Sequence, residues 1–302
     1  LLGGPSAERE ISLKSGKAVA SALRRKGLKV IEIGKDEEIT AGLNSQRIDI
    51  AFIALHGRFG EDGQIQALLE KKGIPYTGSG VEASRLALNK SSSRKIFRRA
   101  GLSVPPYRTY GPGDKPSLPP FDFPLVLKPF REGSSIGLSI VNSAREYEEA
   151  WNRAREHDRE IIVERYIPGT EMTVAILDDK ALPVIKIVPK TRFFDYGAKY
   201  TKGMTDFILP APLPKAIYRK VQEAALKAHQ VLGCYAYSRA DLILSPENVP
   251  YVLEVNTIPG FTETSLFPQA ARAAGIEFPQ LCLKLLKMAR RRFDEKRKKN
   301  QN

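Results

Sequence analysis

Ser238-Arg239-Ala240-Asp241-Leu242 and Glu254-Val255-Asn256-Thr257-Ile258-Pro259-Gly260 are the two halves of the stretch that decides how this chain reads. They sit in two β-patterned runs, residues 235–244 and 250–255, on either side of Ser245-Pro246-Glu247-Asn248, a turn-like sequence. Side chains two apart on a strand share a face, so Arg239 and Asp241 point one way together, as do Glu254 and Asn256. If the strands are neighbours, one face gathers two carboxylates, an amide oxygen and a guanidinium. Such hard oxygen ligands suit Mg²⁺, which keeps several waters and shares its shell with substrate phosphates. A solvated hairpin face with an internal ion pair is the plainer alternative. Against it, the carboxylates lie inside apolar strands, where a charge needs a partner. Metal–nucleotide chemistry is therefore the leading reading.

Composition bounds the rest. The chain has 302 residues, 42% hydrophobic and 27% charged, the balance of a globular protein with one to three domains. No apolar run approaches the roughly 18 residues of a membrane span. The opening Leu1-Leu2-Gly3-Gly4 has no basic n-region or cleavage site, and it reads as the inside of a strand with residues expected upstream. Cys234 and Cys282 stand isolated in apolar surroundings, neither a disulfide framework nor a metal motif, which points to the cytoplasm. The net charge of +14 raises nucleic acid as a partner, but residues 290–302 hold seven Lys/Arg against Asp294 and Glu295. That segment reads as a solvated tail after a last helix over 281–288. With no zinc finger, RNP-like motif or helix-turn-helix pattern, nucleic acid is disfavoured. The remaining positive charge suits an anionic substrate such as ATP.

Along the chain, residues 1–82 alternate β and α. Runs 28–33 and 49–55 read as strands, and 12–26 and 64–72 as helices stopped by Gly27 and Gly73. This predicts a small parallel sheet with helices on its faces and the site on the loops at its strand ends. The loops are Gly3-Gly4-Pro5-Ser6-Ala7-Glu8-Arg9-Glu10 and His56-Gly57-Arg58-Phe59-Gly60-Glu61-Asp62-Gly63. Gly78-Ser79-Gly80-Val81-Glu82-Ala83 fits G-x-G-x-x-A. Its preceding strand is Pro-broken and Arg98 stands where an acidic residue belongs, so it reads as a turn into a helix. Residues 89–100 form a basic helix. Strands 124–128 and 138–141 flank the Gly/Ser loop Pro129-Phe130-Arg131-Glu132-Gly133-Ser134-Ser135-Ile136-Gly137, whose backbone N–H groups can approach phosphate, with Lys128 at its entry. A helix over 144–155 and a strand over 160–164 lead to a crossing, followed by strands 172–177 and 182–188. The aromatic and basic loop at 193–203 reads as a lid or as a surface loop packing its own aromatics. Residues 217–232 form an amphipathic helix.

The Ser-Arg-Ala-Asp and Leu-Glu-Val-Asn-Thr-Ile-Pro-Gly pair resembles the carboxy-terminal signature of D-alanine–D-alanine ligases, of the ATP-grasp superfamily. The similarity continues in order through the chain. It takes in Leu-Leu-Gly-Gly-Pro-Ser-Ala-Glu-Arg-Glu, Ala-Leu-His-Gly-Arg-Phe-Gly-Glu-Asp-Gly, Tyr-Thr-Gly-Ser-Gly, Lys-Pro-Phe-Arg-Glu-Gly-Ser-Ser-Ile-Gly and Asp-Tyr-Gly-Ala-Lys-Tyr. Departures from the family pattern are Phe130 for a small residue, Phe59 for Gly and Arg165 for Lys.

The resemblance implies an α/β fold, with a parallel-sheet N-terminal substrate-binding domain (1–82) and a two-part ATP-grasp (83–168 and 169–302, the latter with the basic tail). It implies ATP-dependent ligation of two D-alanines through a D-alanyl phosphate, for peptidoglycan precursors. By resemblance, Glu8 holds the first D-alanine's ammonium, with His56 in an orienting role. Lys90 and Lys128 contact ATP phosphates under loop 133–137, Ser135 included. Glu164, Arg165 (through its backbone), Ile167 and Glu171 surround the adenosine. Ser134 and Tyr200 join Glu8 in a triad that closes the lid, and Lys199 nears the γ-phosphate. Asp241, Glu254 and Asn256 hold two Mg²⁺, with Mn²⁺ an alternative. Arg239 and the Gly260 N–H form the oxyanion site, and Ser265 takes the second substrate's carboxylate. A homodimer is the family's expectation. Rival readings are a D-alanine–D-lactate ligase, against which Tyr200 argues, another ATP-grasp carboxylate–amine ligase, and a nucleic-acid-binding protein using the tail.

Overall fold

The computed structural model describes residues 1–6, 8–34, 38–130, 137–190 and 203–299. The described residues form two antiparallel sheets. The smaller has strand order β1-β4-β2-β3, made of Tyr107–Tyr110 (β1), Leu125–Pro129 (β2), Ser139–Val141 (β3) and Ile161–Arg165 (β4). One face is covered by helix α6 (Ala144–His157), whose Tyr147, Ala150, Trp151 and Ala154 recur at helical spacing and pack on Leu125, Leu127, Ile161 and Val163.

The larger sheet runs β10-β9-β5-β7-β8, with β6 paired to β5. Its strands are β5 (Thr170–Leu177), β6 (Lys180–Ala181), β7 (Ile185–Pro189), β8 (Thr205–Ile208), β9 (Tyr237–Leu244) and β10 (Pro250–Asn256). The expected strand over 182–188 begins only at Ile185, beyond Pro183, and runs to Pro189 as β7. Helix α7 (Lys215–Val231) lays Val221, Ala224, Ala225 and Ala228 on one face of this sheet. The other face carries α8 (Leu266–Ala273), α9 (Phe278–Lys299) and α1 (Arg9–Arg24). Both sheets are hydrophobic on the covered faces, as two-layer packing requires.

The N-terminal region adds α2 (Ile39–Ser45), α3 (Gln64–Lys71) and α4 (Val81–Leu88) around a core of Ile33, Ile53, Leu55, Ile65 and Leu69. Among the described residues, the expected parallel sheet is reduced to one parallel bridge, Ala51 with Tyr76. Leu1 and Leu2 lie between the two expected strands: Leu2 N donates to Ile33 O, Leu1 N to Phe52 O, and Ala54 N to Leu1 O. The G-x-G-x-x-A stretch is a turn that opens α4 at Val81.

The basic segment departs from expectation. α9 continues as helix to Lys299 instead of ending near Met288. Arg292 lies 4.4 Å from the Tyr76 ring centroid and 4.9 Å from that of Tyr235, and it donates to Gly78 O at 2.6 Å and Tyr76 O at 3.1 Å. Lys296 pairs with Glu70 at 3.1 Å, and Arg291 with Asp178 at 3.5 Å. A cation held between two ring faces supplies the docking energy that apolar residues usually provide.

Helix α5 (Lys90–Arg99) spans the space between the sheets. Asn89 caps it, its side-chain oxygen accepting from Ser92 N at 2.9 Å. The buried positions of α5 include Lys90, Ser93, Arg94 and Phe97, so two cations one turn apart face inward.

Candidate active site

Strands β9 and β10 pair antiparallel, with Glu254 opposite Asp241 and Asn256 opposite Arg239. All four side chains therefore share one face. The register depends on a bulge, because Val252 faces Leu242 and the next pair is Glu254 with Asp241, leaving Leu253 as the extra residue. Without it Glu254 would face Ala240 and point to the opposite side, the re-aiming that bulges accomplish in sheets. Asp241 is buried, accepts from Arg239 at 2.9 and 2.8 Å and from Thr173 Oγ1 at 2.6 Å. Asn256 Oδ1 accepts from Ile258 N at 2.9 Å, and Glu254 Oε2 lies 3.9 Å from Lys90 Nζ.

Arg239, Glu254, Asn256 and Lys90 line a cavity of about 550 Å³ together with Glu8, His56, Glu61, Gly260 and Ser265, with Asp241 behind Arg239 and outside the lining. The Gly260 end is fixed by Phe261, which is fully buried and makes edge contacts with Phe52 and Tyr237 at 5.2 and 5.4 Å. Phe261 N donates to Ser15 Oγ at 3.1 Å, tying the loop to α1. Gly260 is required by close approach, since a Cβ there would stand 2.9 Å from Ser265 Oγ. Ser265 Oγ accepts from Thr262 N at 3.0 Å. On the opposite wall Gly57 has φ +67°, and a Cβ would meet Glu8 Oε2 at 3.2 Å. Phe59, where the family pattern favours Gly, adopts φ +69°, in the left-handed region that bulky residues avoid.

His56 is buried with its Nε2 3.3 Å from Ser15 Oγ. Burial lowers its pKa, only partly opposed by the Glu8 charge, so the ring is neutral near pH 7. Glu61 accepts from Gly57 N at 2.7 Å and from Ile258 N at 3.3 Å, joining the His56 loop to the end of β10. Burial, with the Glu8 charge adding, pushes its carboxyl up to about 8.

The second cluster lies across α5. Lys128 Nζ and Arg94 NH1 approach Glu164 Oε1 at 2.8 and 2.7 Å. Burial alone would raise the Glu164 pKa, but the Arg94 and Lys128 charges outweigh it and hold the carboxyl below its ordinary value. Burial lowers Lys128 to about 8, against the pull of Glu164 and with help from Arg94 and Lys90. Ile167 is buried beyond β4, Arg165 is exposed with its N–H donating to Pro106 O at 2.9 Å, and Glu171 lies on β5. Ser134, Ser135, Lys199 and Tyr200 lie outside the described residues.

A model of the D-ala D-ala ligase C-terminus matches residues 96–287, and one of the D-ala D-ala ligase N-terminus matches 33–79. The chain belongs to the D-alanine–D-alanine ligase family. A D-alanine–D-alanine ligase of Geotalea uraniireducens (strain Rf4) is 52% identical over 291 residues, 96% of this chain and 94% of the relative. That of Anaeromyxobacter sp. (strain K) is 50% identical, over 95% and 94%. The crystal structure of the Bacillus anthracis D-alanine–D-alanine ligase complexed with ATP superposes with TM-score 0.86 at 32% identity, covering 98% of this chain and 97% of that one. The α/β ATP-grasp fold is thus that of the ligase family.

The donor chemistry fits a divalent metal. Asp241, Glu254 and Asn256 offer oxygen alone from adjacent strands, and carboxylate oxygens keep lone pairs beyond their present bonds. Among the described residues no three His, Cys, Asp or Glu side chains form a ready cluster, because the third donor is an amide. Within this ligase fold, reading the sequence missed Ser15, Glu61 and Arg94. Ser15 lies on the buried face of α1, Glu61 follows the glycine two residues after a loop arginine, and Arg94 stands one turn from Lys90. Only that last spacing could have been found in the chain itself.

Proposed function

We propose that this chain joins two D-alanines into D-alanyl-D-alanine, cleaving ATP to ADP and phosphate, in the making of peptidoglycan precursors. The observation that carries the reading is the β9–β10 face, whose Arg239, Glu254 and Asn256 open onto Gly260 and Ser265. The first D-alanine's carboxylate is a poor acyl donor until one of its oxygens takes the γ-phosphoryl group. That transfer needs positioning and charge neutralisation more than covalent help. Glu8, beside a neutral His56, binds the first ammonium. Lys90 and Lys128 hold phosphate oxygens, and Glu171, Ile167 and the Arg165 backbone lie around the adenosine with Glu164. The second D-alanine, its carboxylate received at Ser265, attacks the acyl carbonyl with its neutral amine. The C–N bond forms as the C–O bond to phosphate breaks, and the proton lost from the amine passes to the departing phosphate. Arg239 and the Gly260 N–H face the oxygen on which negative charge develops. Asp241, Glu254 and Asn256 would hold two Mg²⁺ (or Mn²⁺), which when bound neutralise phosphate charge. Ser134 and Tyr200, with Glu8, and Lys199 at the γ-phosphate complete this reading. So do a division at 1–82, 83–168 and 169–302, a homodimer and a cytoplasmic location. No helix among the described residues is long and apolar enough to cross a membrane.

The test mixes protein, ATP, Mg²⁺ and D-alanine, follows phosphate release and identifies the product by mass. D-alanine-dependent phosphate with a D-alanyl-D-alanine mass is expected. A depsipeptide formed in preference when D-lactate competes at neutral pH would overturn the substrate assignment.

A further inference from the structure

Arg94 is a fully buried arginine that no role in the ligation reaction yet uses. A guanidinium out of water is tolerated only where several acceptors meet it. Here three elements do. NH1 lies 2.7 Å from Glu164 Oε1 on β4. NH2 donates at 3.5 Å to the carbonyl of Leu253, the bulged residue of β10. The guanidinium also sits 5.3 Å from the ring centroid of Tyr107 on β1. Its planar fork is what permits contact with both sheets from one side chain.

Each contact touches something the proposed chemistry needs. Glu164 Oε1 is the atom that also holds Lys128 Nζ, at 2.8 Å, so Arg94 fixes the carboxylate that fixes the lysine. Leu253 is the bulged residue directly before Glu254, held out of the ladder where Glu254 meets Asp241. One turn earlier on α5, Lys90 approaches Glu254 itself at 3.9 Å. Three cations and two carboxylates thus form one chain of charge from β2 to β10 across α5, with a surplus of one positive charge for an anionic ligand.

The geometry points to Arg94 as a positioning residue that holds the phosphate-binding Lys128 and the metal-binding strand β10 in register with each other. It sets the spacing between the nucleotide side of the cleft and the acyl-transfer side, and it touches no substrate. The inference rests on the assignment of Lys128 to ATP phosphates.

The test compares Arg94→Met, Arg94→Lys, Lys128→Met and the Arg94→Met/Lys128→Met double variant by KM for ATP, KM for D-alanine, kcat and the Mg²⁺ activation curve. Arg94→Met is expected to raise the KM for ATP about tenfold and shift Mg²⁺ activation to higher concentration, with the D-alanine KM changed less than about twofold. Arg94→Lys keeps a charge for Glu164 but lacks the fork that reaches Leu253 as well. It should recover most of the ATP KM and leave the Mg²⁺ shift. Should Arg94→Met not yield folded protein, this split in the lysine variant carries the test, and its absence overturns the inference. In the double variant the ATP effect of losing Arg94 should vanish, since residues acting as one unit are not additive. Additive losses, or an unchanged ATP KM in Arg94→Met beside an impaired Lys128→Met, overturn the inference alone. An unchanged ATP KM in Lys128→Met removes the phosphate assignment and the inference with it.

Discussion

Glu254 stands opposite Asp241 across the β9–β10 ladder because Leu253 occupies a bulge between Val252 and Glu254. The two carboxylates meet because Leu253 stands out of the ladder; were Leu253 paired in regular register, Glu254 would face Ala240. Glu254→Ala leaves Asp241 without its cross-strand carboxylate. Turnover is expected to fall by a factor on the order of a hundred or more, since a proposed metal ligand is lost. Phosphate-release assays on the folded variant check this, and wild-type activity would sink the metal-face reading.

Ser265 and Gly260 are tested as a pair. Ser265→Ala removes the hydroxyl proposed for the second D-alanine and should raise that substrate's KM about tenfold, leaving the ATP KM near wild type. Gly260→Ala places a methyl 2.9 Å from the Ser265 hydroxyl. It should lower kcat as well, by displacing the N–H aimed at the acyl oxygen. A change confined to ATP affinity in either variant would contradict the assignment.

His229 makes acid stability measurable. It is buried on α7 with Nδ1 2.7 Å from Ser238 Oγ, and burial lowers its pKa to about 4. The unfolded chain, titrating near 6.5, binds a proton that the folded protein refuses. The neutral state's stability is therefore complete above pH 6.5 and is lost as pH falls from 6.5 toward 4, by at most about 3 kcal/mol. Denaturant titrations across this window should show a stability loss that a His229→Gln variant lacks. His56, lowered for the same reason, adds a loss of the same sign.

Arg292 should prove a stability residue of the last helix. Arg292→Ala removes the cation between Tyr76 and Tyr235 and two donors to backbone carbonyls. A loss of about 1–3 kcal/mol is expected in urea unfolding, with D-alanine and ATP KM values unchanged. A stability loss under about 0.5 kcal/mol, as for an ordinary surface residue, would mean the helix end is not docked.

How much of this was legible in the sequence follows from which forces act locally. The pairing of β9 with β10 was readable because alternation and a turn sequence sit side by side in the chain. The bulge was not: Leu253 is an apolar residue in an apolar run, and nothing local distinguishes an extra residue from a regular one. The N-terminal runs 28–33 and 49–55 have the β-branched content of strands, yet among the described residues they join Leu1 and Leu2 through single hydrogen bonds and not through a ladder. Charge misled at both basic segments. Arg94 is buried by acceptors far along the chain, and Arg292 is half-covered by rings at positions 76 and 235. Composition alone gives both arginines to solvent. Helix α8 escaped notice because its apolar positions cluster in eight residues, too few for a clear period.

The ion pairs of the β9–β10 face carry a last consequence. Asp241 is bound by Arg239, and Glu254 faces Lys90, so the carboxylates proposed for metal are already neutralised by the two cations proposed for the acyl oxygen and for phosphate. The resting cleft is in this sense an ion exchanger loaded with its own side chains. A divalent ion that takes the carboxylates releases both cations toward the substrates, so metal occupancy and anion affinity rise together. Magnesium and ATP should then show positive linkage in equilibrium binding, each tightening the other by the same factor.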